Sequence, residues 1–221
     1  MSRWEIRIAT VIAAMALGLI PTATTAVEQP GLAIAALETF PVKGRAPKTG
    51  YARDQFGQAW ADVDRNGCDT RNDILKRDLT SITYKAKTRN CVVLSGTLLD
   101  RYSGESINFV RGNITSMEVQ IDHVVALSNA WQTGAFKLTA EQRKALANDP
   151  MNLFAVKGRL NSQKGDGDAA TWLPPLKSFR CAYVAQQIAV KAKYSLWVVP
   201  PEKAAMLSIL AKCPTQKLPL S

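Results

Sequence analysis

The only histidine of this 221-residue chain is His123, which lies in the apolar run Val119-Gln-Ile-Asp-His-Val-Val125. Among side chains, imidazole has the unperturbed pKa closest to neutral pH, which suits a general base. Because the chain has one histidine, a histidine general base could only be His123. The charged Asp122 beside it costs burial energy unless the pair has partners or a ligand. The alternative is a purely structural histidine, but the acidic neighbour Asp122 favours a catalytic role for His123.

The pairing of Asp122 with His123 argues against a Ser-His-Asp triad. Adjacent residues on an extended strand point to opposite faces, so Asp122 could not easily orient the imidazole ring. A strand that ends at Asp122 would instead allow both side chains to border one cleft.

Two asparagines and a lysine follow downstream, Asn152, Asn161 and Lys164. A short strand and a helix between them could bring both amides back toward Asp122. One carboxylate with a neutral amide oxygen suits Mg²⁺, which takes few protein ligands and keeps its waters. The alternative is that both asparagines are turn and cap residues.

Together these residues resemble the HNH nuclease motif, also called ββα-metal or His-Me finger. The wider context is similar to secreted HNH endonucleases related to the C-terminal domain of GmrSD-type restriction enzymes, from about Leu37 to Cys213. The stretches that carry the resemblance are Gly50-Tyr-Ala-Arg-Asp-Gln-Phe-Gly57, Asn66-Gly-Cys-Asp-Thr-Arg-Asn-Asp-Ile-Leu75, Ile121-Asp-His-Val-Val-Ala-Leu127, Lys164-Gly-Asp166 and Thr171-Trp-Leu-Pro-Pro175.

The resemblance implies a role for each residue. His123 would deprotonate water, Asp122 and Asn161 would hold Mg²⁺ or Mn²⁺, and Asn152 would brace the loop between two strands. Lys164 would contact a phosphate or that loop, with a solvated lysine as the alternative. Asn161 stands where many HNH enzymes have a metal-binding His. The implied reaction is hydrolysis of DNA, with RNA left open, giving 5′-phosphates with little sequence specificity.

The order of the predicted helices and strands indicates an α+β fold. With the resemblance, we expect a ββα-metal core embedded in a mixed single domain with additional helices. Hydrophobic periodicity and capping residues predict helices and short strands in alternation. The predicted helices are 72–79, 139–147, 158–164, 178–194 and 202–211, and the predicted strands are 91–99, 107–110, 119–125 and 152–156.

Composition indicates an exported, basic protein with a net charge of +10. Residues 1–26 are typical of a secretory signal, with an uncleaved anchor as the alternative. We then expect a basic, loosely structured lead-in (27–49), in which Leu32 to Leu37 could form a short helix, an endonuclease domain (50–213) and a tail (214–221). The charge favours a nucleic-acid partner, and we expect a secreted monomer without stable membrane association.

The chain contains four cysteines, Cys68, Cys91, Cys181 and Cys213, with no C-x-x-C pair. An even number in an exported protein suggests two disulfides rather than zinc. Three pairings are open, and sequence distance favours Cys68 with Cys91 and Cys181 with Cys213.

A second metal site is suggested by the loop from Asp62 to Asp73. Asp62, Asp64, Asn66 and Asp73 occupy positions that bind calcium in an EF-hand loop, although a solvated turn with an Asp helix cap is the alternative. Two other functions therefore stay open: a non-enzymatic nucleic-acid- or surface-binding module, and a calcium-binding cell-wall protein.

Overall fold

The fold is that of a computed structural model, which describes Met1, residues 31–113 and residues 115–220. The predicted signal segment lies outside the described residues. Seven α-helices are found there: α1 Ala33–Glu38, α2 Thr70–Asp78, α3 Leu127–Gln132, α4 Ala140–Asn148, α5 Gly158–Lys164, α6 Arg180–Lys193 and α7 Pro200–Leu210. The strands are β1 Leu79–Tyr84, β2 Val93–Leu99, β3 Ser106–Val110, β4 Val119–His123 and β5 Leu153–Lys157.

Short 3₁₀ helices connect several of these elements: Arg53–Phe56, Thr115–Met117, Ala135–Lys137, Pro150–Asn152 and Lys177–Phe179. The prediction of a mixed α+β single domain is confirmed.

The larger sheet is antiparallel, in the order β1-β2-β3. Leu98 pairs with Ile107 and Gly96 with Phe109, and the side chains of Leu98 and Phe109 are buried. They pack with α2 and with one face of β4 and β5 in a common hydrophobic cluster. The larger sheet therefore supports the second, two-stranded sheet from one side.

The second sheet pairs β4 with β5, and α5 follows directly. His123 pairs with Leu153 and Asp122 with Phe154 in antiparallel register. This strand–strand–helix unit has the element order predicted for a ββα core, and α5 has the predicted bounds. Its identity as an HNH core stays a prediction.

Residues 31–49, predicted to be a loosely structured lead-in, contribute to the core. Helix α1 forms there, and Ala33 and Leu37 are fully buried against α6 and α7. The C-terminal residues pair with the same segment, since Leu32 forms a β-bridge with Lys217. Both ends of the described chain therefore pack on one side of the domain.

Two helix starts show how local sequence sets the boundaries. Thr139, the first residue of the predicted helix 139–147, is the N-cap of α4 and forms a capping box with Gln142. Helix α7 begins at Pro200, two residues before the start of the predicted helix 202–211. Proline is tolerated in the first helical turn, where its missing N–H would have no partner in any case.

The two disulfides follow the favoured local pairing. Cys68 is bonded to Cys91, and Cys181 to Cys213. The first joins the loop before α2 to the loop before β2, and the second joins α6 to the segment after α7.

Candidate active site

A cleft of about 320 Å³ opens where β4 meets α5. Both Asp122 and His123 line it, together with Asn161 from α5. The remaining lining residues are Tyr51, Arg53, Ile121, Ala126, Leu127, Ser128, Gly165 and Asp166. The sequence therefore brings together three of the residues that were predicted to do chemistry.

The ring of His123 has a defined tautomer. Its Nε2 lies 2.8 Å from the carbonyl oxygen of Ala147. A carbonyl can only accept, so Nε2 carries the proton and Nδ1 of the neutral ring is the acceptor. Among the described residues, Nδ1 has no hydrogen-bond partner.

Burial keeps His123 neutral at physiological pH. It lowers the pKa of the imidazole to about 3, although the hydrogen bond to Ala147 acts in the opposite direction. The nearby positive charges of Arg53 and Lys164 lower the pKa further. The ring is therefore unprotonated over the whole physiological range.

Asp122 projects from the opposite face of β4. Its Oδ2 accepts a hydrogen bond from the hydroxyl of Tyr102 at 2.5 Å, and its Oδ1 accepts one from Nζ of Lys164 at 2.8 Å. Burial and the Asp122 charge raise the pKa of Tyr102 well above its usual value, so its hydroxyl stays a donor. Strand β4 continues through His123, and both side chains line the cleft.

Lys164 is neither a solvated lysine nor an exposed phosphate contact. Its side chain is fully shielded, and its Nζ also donates to the carbonyl of His123 at 2.7 Å. The expectation of a phosphate contact is therefore wrong, because the ammonium is already bound to groups on β4. It holds the end of α5 against the catalytic candidates.

Asn152 lies away from the cleft and is completely buried. Its Oδ1 accepts from the backbone N–H of Val125 at 2.8 Å, and its Nδ2 donates to the carbonyls of Val125 and Leu146, both at 3.3 Å. These bonds fix the backbone that follows His123. The contacts are those of a residue that braces the loop.

Asn161 and Asp122 fit a hard cation by their donor atoms. Nδ2 of Asn161 donates to Oε1 of Gln120 at 2.9 Å, so its Oδ1 is the atom left to accept. An ionised carboxylate has about four lone-pair sites, and Tyr102 and Lys164 occupy only two of those on Asp122. Lys164, however, already offsets the one negative charge of this pair.

Several cleft residues were missed by the sequence reasoning. Arg53 lies within a stretch that carried the resemblance, but nothing local marked it as facing His123. Asp166 accepts from Lys48 at 2.6 Å and from Ser128 at 3.1 Å, and the bond from Lys48 lowers its pKa. Tyr102, which does not line the cleft but donates to Asp122, precedes β3 and had no sequence signal.

The acidic loop from Asp62 to Asp73 is arranged as a turn. The Asp62 carboxylate accepts from the backbone N–H groups of Asn66 and Gly67, at 3.1 and 2.9 Å, and Asp64 accepts from Asn66. Asp69 caps α2 through Asn72. The described residues contain no group of three or more His, Cys, Asp or Glu placed to hold a metal ion. Calcium binding stays a prediction.

Comparisons with known proteins show the family to which the chain belongs. The model of the family "GmrSD restriction endonucleases, C-terminal domain" matches residues 69–209. The chain belongs to this family, which is a nuclease family.

A relative from Arthroderma benhamiae, described as an uncharacterized secreted protein, is 37% identical over 179 residues. The match covers 80% of this chain and 82% of the relative. The prediction of a secreted protein is confirmed by this relative. Within the part of the chain that the structure describes, no helix is long and apolar enough to cross a membrane.

Proposed function

We propose that the protein is a metal-dependent endonuclease that hydrolyses phosphodiester bonds of DNA, and of RNA as a second substrate, with little sequence specificity. The observation that carries this proposal is the tautomer of His123. Its Nε2 is bound to Ala147, which leaves Nδ1 as an unpaired acceptor on the ring that lines the cleft. Membership of a restriction endonuclease family supports the same class of reaction.

In the proposed reaction, His123 accepts a proton at Nδ1 from a water molecule in the cleft. The water oxygen forms a bond to phosphorus as the bond from phosphorus to the 3′ oxygen breaks, leaving a 5′-phosphate. The 3′ oxygen takes a proton from solvent and leaves as a hydroxyl, and the proton on His123 is returned to solvent. Because burial keeps the imidazole neutral, Nδ1 of His123 is unprotonated before the reaction. Asn152 supports this step by fixing the backbone next to His123.

Asp122 and Asn161 would hold the Mg²⁺ or Mn²⁺ ion. When bound, the ion would neutralise charge on the phosphate and on the leaving oxygen. Since Lys164 already offsets the charge of Asp122, we expect the free protein to bind the ion weakly. Mg²⁺ commonly takes additional ligands from substrate phosphates, so binding should strengthen with nucleic acid present.

The net charge of +10 and the exposed Arg53 at the cleft support a nucleic-acid partner. We expect Arg53 to contact a phosphate beside the reacting one. Neutralising phosphates releases counterions and gives affinity that does not depend on sequence. This contribution is expected to weaken steeply as salt is added.

A plasmid assay tests the proposal. Supercoiled DNA is incubated with the purified protein in Mg²⁺, in Mn²⁺ and in EDTA, in parallel with His123→Ala. Gln163→Ala serves as the matched control, because Gln163 is exposed on α5 near Lys164. We expect metal-dependent nicking by the wild type and by the control, and none by His123→Ala.

The outcomes separate the proposed enzyme from its alternative. Nicking in EDTA would contradict the metal dependence. Absence of nicking and of RNA cleavage in every metal, by folded protein with both disulfides intact, would favour a non-enzymatic nucleic-acid-binding module.

A further inference from the structure

Trp60 has an unusual backbone conformation. Its φ is +57°, in the left-handed region where a bulky side chain is a true outlier. Such conformations persist only where the surrounding structure enforces them, and they cluster at functional sites. The surrounding structure must therefore hold the backbone of Trp60 in this conformation.

The backbone around Trp60 is held from two helices. Its carbonyl accepts from the N–H of Thr70 at 3.3 Å, and the hydroxyl of Thr70 donates to the carbonyl of Ala61 at 2.5 Å. On the other side, Nδ2 of Asn148 donates to the carbonyl of Gln58 at 3.4 Å. The first turn of α2 and the end of α4 thus fix the segment on both sides of Trp60.

The indole lies nearly parallel to the imidazole of His123. The ring centroids are 6.0 Å apart and the planes differ by 16°. The indole also packs against the hydrophobic cluster formed by α2 and both sheets. Trp60 therefore stands between a rigid core and the ring of His123.

The hydrogen bond from His123 to Ala147 does not fix the ring by itself. The ring is also anchored at Cβ, so the freedom that remains is a limited rotation of the imidazole about the Cβ–Cγ bond. A stacked neighbour removes this remaining freedom, because it sets the plane of the ring. The two contacts together determine where Nδ1 points.

We propose that Trp60 is a positioning residue that holds the imidazole plane of His123 so that Nδ1 faces the cleft. The inference rests on the proposed nuclease function. The strained backbone of Trp60 is retained because it presents the indole face to His123. An ordinary core tryptophan would affect stability but not turnover by the folded protein.

The test compares replacements at Trp60 under saturating DNA. Trp60→Leu and Trp60→Met keep an apolar side chain without a ring, whereas Trp60→Phe keeps a ring that can stack. Trp197→Leu is the control, since Trp197 is a tryptophan that is more buried than Trp60 and packs on Phe136 instead of His123. Having two ringless variants keeps the comparison available if one of them does not fold.

We expect kcat to fall about tenfold or more in Trp60→Leu and Trp60→Met, since a small misplacement of a reacting group is costly. KM should change little, because the DNA contacts are intact. Trp60→Phe should restore most of kcat, and Trp197→Leu should leave it unchanged. An unchanged kcat in a folded ringless variant would overturn the proposal while leaving the nuclease function standing.

A second readout does not require activity. His123 is the only histidine, so its ¹³Cε1 signal is unambiguous in NMR spectra of the labelled protein. Relaxation of this signal should show a more mobile ring in Trp60→Leu than in the wild type or Trp60→Phe. If the wild type cleaves no nucleic acid, the proposed nuclease function fails. The relaxation comparison then tests by itself whether Trp60 holds the ring of His123. Equal ring mobility in all variants would overturn the proposal.

Discussion

Nζ of Lys164 lies 2.8 Å from Oδ1 of Asp122, and both side chains are buried. The same ammonium donates to the carbonyl of His123, so one side chain at the end of α5 binds two consecutive residues of β4. A buried charge that is paired in this way is costly to leave alone. The pair therefore fixes the strand and the helix that border the cleft.

The first prediction concerns this pair. Lys164→Met should lower the free energy of unfolding by about 3–5 kcal/mol, because Asp122 is left as an uncompensated buried charge. Urea unfolding measures the change, with Lys212→Met, an exposed lysine, expected to cost less than about 0.5 kcal/mol. Adding Asp122→Asn to Lys164→Met should recover part of the loss. A Lys164→Met protein as stable as the control would show that the pair is unimportant.

The second prediction follows from the pKa of His123. Burial lowers it from 6.5 to about 3, so between these values the unfolded chain binds a proton that the folded protein does not. The free energy of unfolding should therefore decrease as pH falls below 6.5, by up to about 1.4 kcal/mol per pH unit from this group. Urea unfolding between pH 7 and pH 4 should show a shallower decrease for His123→Gln. Parallel curves for the two proteins would contradict the burial of a neutral imidazole.

The third prediction tests the metal ligands. Asn161→Ala removes an amide oxygen from the cleft and should raise the Mg²⁺ concentration for half-maximal activity by about tenfold or more. Excess Mn²⁺ should restore part of the activity. Gln163→Ala is the control, because Gln163 is exposed on the same helix. An unchanged Mg²⁺ requirement in Asn161→Ala would remove this residue from the ligand set.

The fourth prediction concerns the disulfide between Cys181 and Cys213, which packs against the cluster of α1, α6 and α7. Replacing both residues by Ala should lower the free energy of unfolding by about 2–5 kcal/mol. Thiol titration of the unfolded, unreduced wild type should find no free thiol. Four free thiols in that titration would mean that neither bridge forms in the secreted protein.

The short periodic elements around the site could be predicted from sequence because their signals are local. Helix α5 has the predicted bounds, from Gly158 to Lys164. Strand β4 was predicted to reach Val125 but ends at His123, because Asn152 binds the backbone of Val125 across the loop. Helix α3 was missed because all its residues are buried, and such a segment shows no amphipathic pattern.

The site was predictable in its residue types but not in its contacts. Asp122, His123 and Asn161 do share one cleft. The partners that define their chemistry, Tyr102 and the carbonyl of Ala147, are distant in sequence and have no local signal. Lys164 was assigned a phosphate or loop contact because sequence does not reveal that its ammonium is buried.

The most direct test of the proposed function is the cleavage rate of His123→Ala with all DNA bound. Fluorescence anisotropy first establishes the protein concentration that saturates a labelled duplex for each variant. Single-turnover cleavage in Mg²⁺ is then compared at that occupancy. We expect equal DNA affinity and a rate at least about 100-fold below that of the wild type, because the general base is lost. A rate within threefold of the wild type would contradict the assignment of His123 as the base.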